Sequence, residues 1–519
     1  MNRKISIVSI ASLIAASFVC LSLPASASPG DSTCDLSSGD GSSGAPYLLS
    51  TEQDLFEMAD CTNTSTSNNF FELSNSIHVN SPWTSIDLVS DNVNGAGFDG
   101  NNYTISGISR SSGNGGLFGD VDRALVEDLF LEVGSISGNE VGALAREVIR
   151  STLSNVHVRA SANIVGTYQT GGVSAFIENS TVTDVTFASS GSVIGQGARA
   201  GGIAARIVDS LIGKSSVQAD VQSNASSAGG IAGVGQFRIN PTETFDSLSF
   251  NGNLSAERQA GGIFGLLYGS NSTMAVTMDD TSVIGSINSN ILNPGAFIGS
   301  FESGSSSDDF PSFDIGASFA SVEMKKNGAT TNLGAVISPY TANTSITSNR
   351  GGLYDTTKAS FADSGTIDFV GRTTAQWGDP SQYGSQGFQM INLSSYTGNE
   401  GASFTWLMSS GLNDGFPVVR SAYDNNLYGA PIRPTNLRLT PGAESLSLSF
   451  SEPIFDGGSA VTGYQYSTDG GSNWSNLTST TTSGTVSGEI ASLDADTVYS
   501  VTVRSENTFG ESPASVAAV

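Results

Sequence analysis

A glycine-aliphatic step recurs along the middle of the chain, and its recurrence constrains the fold more than any other feature. It reads GGLFG (115–119), VGALA (141–145), GGVSA (171–175), GGIAA (201–205), GGIAG (229–233), GGIFG (261–265), PGAFIG (294–299) and, more faintly, LGAVI (333–337). The shared glycines are Gly116, Gly142, Gly172, Gly202, Gly230, Gly262, Gly295 and Gly334, spaced 26, 30, 30, 28, 32, 33 and 39 residues apart. One such step could belong to a phosphate-cradling loop, which needs a single glycine-rich turn between strand and helix and an acidic residue roughly twenty positions later. Copies at a period near 30 mark a repeat architecture instead.

Between the steps, apolar and small polar residues alternate. STLSNVHVRA (151–160) carries Leu153, Val156 and Val158, STVTDVTFAS (180–189) carries Val182, Val185 and Phe187, and FDSLSFNGNL (245–254) carries Phe245, Leu248 and Phe250. Period-2 alternation with Gly, Ser and Asn punctuation predicts short strands. RALVEDLFLEV (123–133) comes nearest to a helical period, and its place in the repeat assigns it to a strand. Two or three short strands per unit, stacked on the next copy, describe one coil of a parallel β-solenoid whose inward aliphatic side chains share a column. The glycines are then expected at coil corners, where the backbone takes positive φ or closely approaches a neighbouring coil.

The chain opens on MNRKISIVSIASLIAASFVCLSLPASAS: a basic start at Arg3 and Lys4, an apolar run to about Leu23, and small residues at Ala25-Ser26-Ala27. This reads as a signal peptide over 1–27 that sends the chain to the exterior. Cys20 lacks the preceding small residues of a lipoprotein signal, so no lipid anchor is expected. Removing the signal leaves 19 basic against 48 acidic residues, a net charge near −29. Phosphate backbones need basic clusters, so nucleic acid is excluded as a partner. Charged residues are only 13% of the chain, so the acidity is dilute and suits solubility outside the cell. After Val501 there is no second apolar span and no sorting motif, so no transmembrane span is expected in the mature chain. In an oxidising exterior the two remaining cysteines, Cys34 and Cys61, are expected to pair; the alternative is two free buried thiols.

Candidate chemistry is sparse. DNVNGAGFDGNN (91–102) lacks the ligand spacing and terminal glutamate of an EF-hand, and Asp99-Gly100 reads as a turn before a strand. His157 lies in Val156-His157-Val158, which predicts a place on the outer face of a strand, and His78 alternates similarly near the N-terminus. Neither has a Cys, Asp or His neighbour at ligand spacing, so no metal or cofactor is expected. Parallel β-helices often carry enzymes that cleave acidic polysaccharides, which makes a lyase or hydrolase the leading catalytic alternative. The Gly-His-Gly and Arg-Ile-Lys segments of galacturonan hydrolases are absent. Arg146, Arg159, Arg199 and Arg206 read as scattered, and Glu178, Asp184 and Asp209 as falling in different coil phases, so no acid-base constellation is expected. The threonine rank of STVTDVTFAS is not repeated in its neighbours, which argues against ice binding.

The steps and their surroundings resemble bacterial cell-surface proteins with tandem GLUG motifs. The likeness includes GSSGAPYLLSTEQDLFEMA (41–59), FFELSNSIHV (70–79), SPWTSI (81–86) and GAGFDGNNYTISGIS (95–109) before the repeats. After them it includes GGLYDTT (351–357), GRTTAQW (371–377), SQGFQM (385–390), Trp406 and LNDGFPVV (412–419). The stretch 300–350 is irregular, and Ala145, Ala175 and Ala205 replace the last glycine of the step. A second resemblance, to a fibronectin type III domain, rests on Pro434, Leu437, Leu446, Leu448, Phe450, Tyr464, Tyr466, Trp474 and LDADTVYSVTVRSENTFGES (493–512). Phe450 stands where that family more often has tryptophan, and Tyr499 occupies the position of the tyrosine corner. No Arg-Gly-Asp occurs.

These resemblances imply an all-β chain: a right-handed parallel β-helix followed by a fibronectin type III β-sandwich. The expected divisions are the signal peptide 1–27, an N-terminal cap 28–110, a repeat region of seven or eight coils 111–345, a C-terminal cap and linker 346–428, and the sandwich 429–519. The expected role is non-catalytic binding or adhesion, with extracellular glycan, matrix or cell-surface components as partners. The competing roles are a polysaccharide-active enzyme and a purely structural wall component.

Overall fold

A computed structural model describes residues 34–515 with breaks, the longer of which are 63–68, 304–311, 338–344, 359–368, 393–405, 409–416, 421–430 and 454–459. The expected signal peptide, Gly334 and most of the 421–434 linker lie outside the described residues.

The chain folds as a β-solenoid followed by a two-sheet sandwich. The turn that starts at Gly202 shows the plan, with strands Ala204–Val208, Leu211–Gly213, Ser216–Ser223 and Ala228–Gly229. Each pairs in parallel with its counterpart one turn on: Ala232–Phe237, Thr242–Asp246, Ser249–Ala256 and Ala260–Gly261. Register then stacks like on like. Ile136, Ile164, Val193, Val221, Leu254, Ile287 and Met324 form one column. Val158, Phe187, Val217, Phe250 and Val283 form another, and both belong to one buried core. Full burial of each such side chain contributes about 1.5–3 kcal/mol. RALVEDLFLEV sits in the strand Ala124–Val141, as its place in the repeat predicts.

The shared glycines of the steps do not use positive φ. Among the described residues of the steps, only Gly115 (φ 83), which precedes the shared Gly116, has a left-handed backbone. Their role is close approach. A Cβ on Gly172 would lie 2.1 Å from the carbonyl oxygen of Gly202 and 2.6 Å from the Phe187 ring. On Gly230 it would lie 2.0 Å from the Gly262 oxygen and 2.3 Å from Phe250. The aliphatic residue after each glycine continues a backbone ladder in which Leu144, Val173, Ile203, Ile231 and Ile263 each donate N–H to the carbonyl of the corresponding residue one turn on.

The left-handed corners belong to other residues. Asp128 (φ 50), Asn155 (φ 55), Asp184 (φ 54), Lys214 (φ 47), Ser247 (φ 56) and Asp280 (φ 49) form one column, and Arg123, Arg150, Asn179 and Asp209 another. Asn and Asp visit this region more readily than other L-residues because their short side chains hydrogen-bond locally. The corner accounts for the three-residue step from Leu153 to Val156, both of which are buried.

Most of the lengthening of the repeat falls at one junction. Two residues separate the end of strand Ala204–Val208 from the start of Leu211–Gly213, whereas the same junction runs from Phe237 to Thr242, then Gly269 to Ala275, then Ser303 to Ser312. A second place of lengthening lies between Lys326 and Ala335, the counterpart of Ser289 to Gly295 one turn earlier, where Ala329–Thr330 folds back on the preceding strand.

The ladder begins before residue 111. Tyr47–Leu49, Phe70–Leu73 and Ala96–Asp99 already pair in parallel, the last with Ala124–Glu127. The helix Glu52–Thr62 packs on this first part of the core through Leu55, Met58 and Cys61. It starts in a reciprocal cap, the Asp54 N–H donating to Thr51 Oγ1 and the Thr51 N–H to Asp54 Oδ2. Cys61 is joined to Cys34, with Cα atoms 4.5 Å apart, which ties the segment before the first strand to the helix. At the other end Tyr383, Phe388, Trp406 and Met408 pack on Phe319 and Leu353. Fully buried Trp406 donates its indole N–H to Asp280 at 3.0 Å.

Two outcomes check this account. Gly230→Ala forces a Cβ into backbone and ring and is expected to cost about 3 kcal/mol, whereas Asp184→Gly, at a left-handed corner, should stay within about 1 kcal/mol of the parent; equal losses in chemical denaturation would refute the division of labour. The Cys34–Cys61 link closes a loop with a sequence separation of 27, and its loss should lower stability by about 3 kcal/mol. Alkylation without reduction should leave both cysteines unmodified in mass spectra of the protein.

Candidate functional site

The glycine step brings the outward side chains of two strands together. On the strand before it, Glu140, Gln169 and Arg199 align in successive turns. On the strand after it, Glu147, Phe176, Arg206 and Val234 align. The sequence reading of Arg146, Arg199 and Arg206 as scattered is therefore corrected: the step folds positions 140 and 146, or 199 and 206, onto one surface.

At one end of this surface Arg146 is the hub of a charge network. Its Nε donates to Asp120 Oδ1 at 2.8 Å, and its Nη1 lies 3.6 Å from Glu147 and 3.9 Å from Glu140. The hydrogen bond to Asp120 raises the Arg146 pKa further. Burial raises that of Glu147, opposed by Arg146 and reinforced by Asp120, Glu140 and Glu178. Further along, Arg238 donates to Glu178 Oε1 at 2.5 Å and to Asp209 Oδ2 at 2.9 Å. Glu178 and Asp209 thus meet through one guanidinium in spite of their different positions in the repeat. Asp184 stands apart at its corner, hydrogen-bonded to Thr183.

Arg199 and Arg206 differ from these. Among the described residues no carboxylate reaches either within ion-pair distance, whereas Arg123, Arg146, Arg150 and Arg238 each have one. Arg206 lies 5.5 Å over the ring of Phe176 and donates to Gln236 Oε1. Burial lowers its pKa, with Arg199 and Arg238 contributing. The Nε of Arg199 is buried without a hydrogen-bond partner, as is Oε1 of Gln169 one turn before.

His157, expected on the outer face of its strand, alternates with the core residues Val156 and Val158 but is nonetheless buried by its neighbours in register. It is 3% exposed, stacked 4.8 Å from Phe130 and hydrogen-bonded to Thr186 and Asn155. The corner at Asn155 places its carboxamide against the ring, a contact that alternation alone does not anticipate. Burial, aided by Arg159, pushes the pKa down to about 3. His78 is exposed and bonds Ser106. Asp99 forms the expected turn, accepting from the Asn101 N–H at 2.7 Å. The threonines of 181–186 face Thr152, Ser154 and His157 on one side and Leu211, Gly213 and Ser216 on the other, so the structure builds no threonine rank there. Among the described residues no group of three or more His, Cys, Asp and Glu could hold a metal ion, and no helix is long and apolar enough to cross a membrane.

The sandwich has sheets Thr435–Pro441, Ser445–Ser451, Thr485–Ala491, Ser479–Thr482 and Ser475–Asn476, Gly463–Ser467, Thr502–Asn507, Gly510–Glu511. Phe450 packs edge-on against Tyr464 at 5.2 Å, and the Tyr499 hydroxyl accepts from the Asp494 N–H at 2.9 Å. Residues 433–519 match the fibronectin type III domain family. In this fibronectin type III domain Arg504 stacks 4.4 Å over Trp474. The chain is also similar to a suspected immunoglobulin A1 protease from Bacteroides ovatus, at 13% identity, TM-score 0.42, over 74% of this chain and 94% of that one. It is similar to an IgA1 protease structure at 15% identity, TM-score 0.33, over 60% and 21%. Titin kinase with its flanking domains matches at 25% identity, TM-score 0.14, over 17% and 16%. At such scores these likenesses carry no functional argument. No curated protein matches the chain.

The buried His157 makes stability depend on pH. Its folded pKa lies below the unfolded value, so its contribution is present above about pH 6.5 and is lost as pH falls toward about 3. Melting temperature should begin to fall between about pH 6.5 and pH 5, above the carboxylate range, and His157→Gln should flatten that part of the profile.

Proposed function

We propose that the chain is a secreted or cell-surface protein that binds extracellular glycan or matrix components and transforms none of them. The resemblance to GLUG-motif surface proteins and the signal-like start support the location. The observation that carries the binding reading is the state of the carboxylates: Asp120, Glu140 and Glu147 surround Arg146, and Glu178 and Asp209 share Arg238. A carboxylate engaged by a guanidinium is not free to reach a substrate, which general acid-base work requires. The solenoid supplies a rigid scaffold in which one weak contact per turn adds to others, so useful affinity comes from multivalent contact.

One observation favours catalysis: Glu147 has a raised pKa and lies beside Asp120 in register. The two readings separate cleanly. Incubation of the mature protein with pectin, alginate, chitin and peptidoglycan, with and without calcium, should release no reducing ends and no unsaturated products. Turnover that vanishes in Glu147→Gln would establish the enzyme instead.

A further inference from the structure

We infer that Arg199 and Arg206 form the anion-binding subsite of this surface, and that its ligand is an acidic glycan, a sugar chain bearing carboxylate or sulfate groups. The inference rests on the binding role proposed above and specifies its ligand class. Three features converge on it.

The first is unspent hydrogen-bonding capacity. Gln169 is 7% exposed, and its Nε2 donates to Glu140 Oε1 at 3.3 Å. That bond fixes the amide orientation, since a flipped amide would set two acceptors against each other. Oε1 is therefore the atom left over, buried and unpartnered, next in register to Arg199, whose Nε is equally unpartnered. Buried polar atoms in this condition cost about 1–3 kcal/mol each and call for a partner. An acceptor beside a guanidinium donor suits a group that offers a hydroxyl and an oxyanion together.

The second is charge. In a chain of net charge −27, no carboxylate among the described residues comes within ion-pair distance of these two guanidiniums. The planar fork of arginine matches carboxylate and sulfate oxygens in a bidentate way. The Debye length at physiological salt is about 8 Å, so an anion seated on the pair is governed by the two guanidiniums together with nearby Glu140 and Glu178, and not by the rest of the acidic surface.

The third is the apolar edge. Phe176 lies under Arg206, and Tyr168, the residue before Gln169, is 47% exposed and close enough to act on Arg206 electrostatically. An aromatic face gives the C–H side of a sugar ring a place to pack. Acidic sugars combine an oxyanion, hydroxyl donors and an apolar ring face, whereas free phosphate or sulfate offers only the first.

Calorimetric titration of the whole secreted protein tests this, using oligogalacturonate against its methyl ester and chondroitin sulfate against its desulfated form. The charged member of at least one pair should bind; Arg199→Gln/Arg206→Gln should weaken it at least tenfold, and Arg504→Gln should leave it unchanged. Which pair responds identifies the oxyanion as carboxylate or sulfate. Arg199→Lys/Arg206→Lys keeps the charge but loses the fork, and should lose most of the affinity with an unchanged melting temperature. Equal binding of charged and neutral forms, or full affinity in both double variants, overturns the subsite while the broader glycan-binding role stands. Arginine-dependent capture of polyglutamate with no glycan bound overturns both in favour of an acidic polypeptide, and no binding to any probe overturns both outright.

Discussion

The closeness of one turn's backbone to the next at the glycine step sets the rest of the solenoid. Where Gly172 and Gly230 lie within what would be Cβ contact of the next turn's carbonyl, no other residue fits, and the opposing Phe187 and Phe250 fill the space a side chain would take. The step locks the rung spacing, the backbone ladder through Val173, Ile203, Ile231 and Ile263 continues it, and the buried columns follow from register. The unit is quasi-one-dimensional, each turn being supported by its two neighbours. The open ends of such a stack must be covered, which the helix Glu52–Thr62 does at one end and the Trp406 cluster at the other.

Much of this was legible in the sequence because its signals are local. The period of the glycine step, the alternation around Val156 and Val158, the Cys34 and Cys61 pair and the Tyr499 position each depend on few neighbours. Of the two roles open to the glycines, close approach is the one the shared glycines take, and the left-handed corners fall to residues that the sequence reading did not single out for them, Asp128, Asn155, Asp184 and Asp280 among them. The signal was present as a three-residue apolar step with Asn or Asp before its second member, a pattern that period-2 reading treats as noise.

The candidate site was less legible for a geometric reason. Residues 199 and 206 are seven apart, an odd spacing that strand alternation assigns to opposite faces; only the reversal at the glycine step brings them onto one surface. The pairing of Glu178 with Asp209 through Arg238 spans adjacent turns and a corner, so it too appears only once the register is fixed. Burial of His157 likewise depends on contacts one turn away, with Phe130 and Thr186.

The entry of extra residues at junctions between strands separates two properties that most folds entangle. From Val208–Leu211 to Ser303–Ser312 one such junction grows while the strands on either side keep their partners. Length polymorphism is therefore cheap at such junctions and expensive within the paired strands, since loop closure costs only about 0.6 kcal/mol per doubling. Lineages of such a chain can gain or shed residues there and alter what one edge displays, while the arginine and glutamine rows across the glycine step keep their alignment.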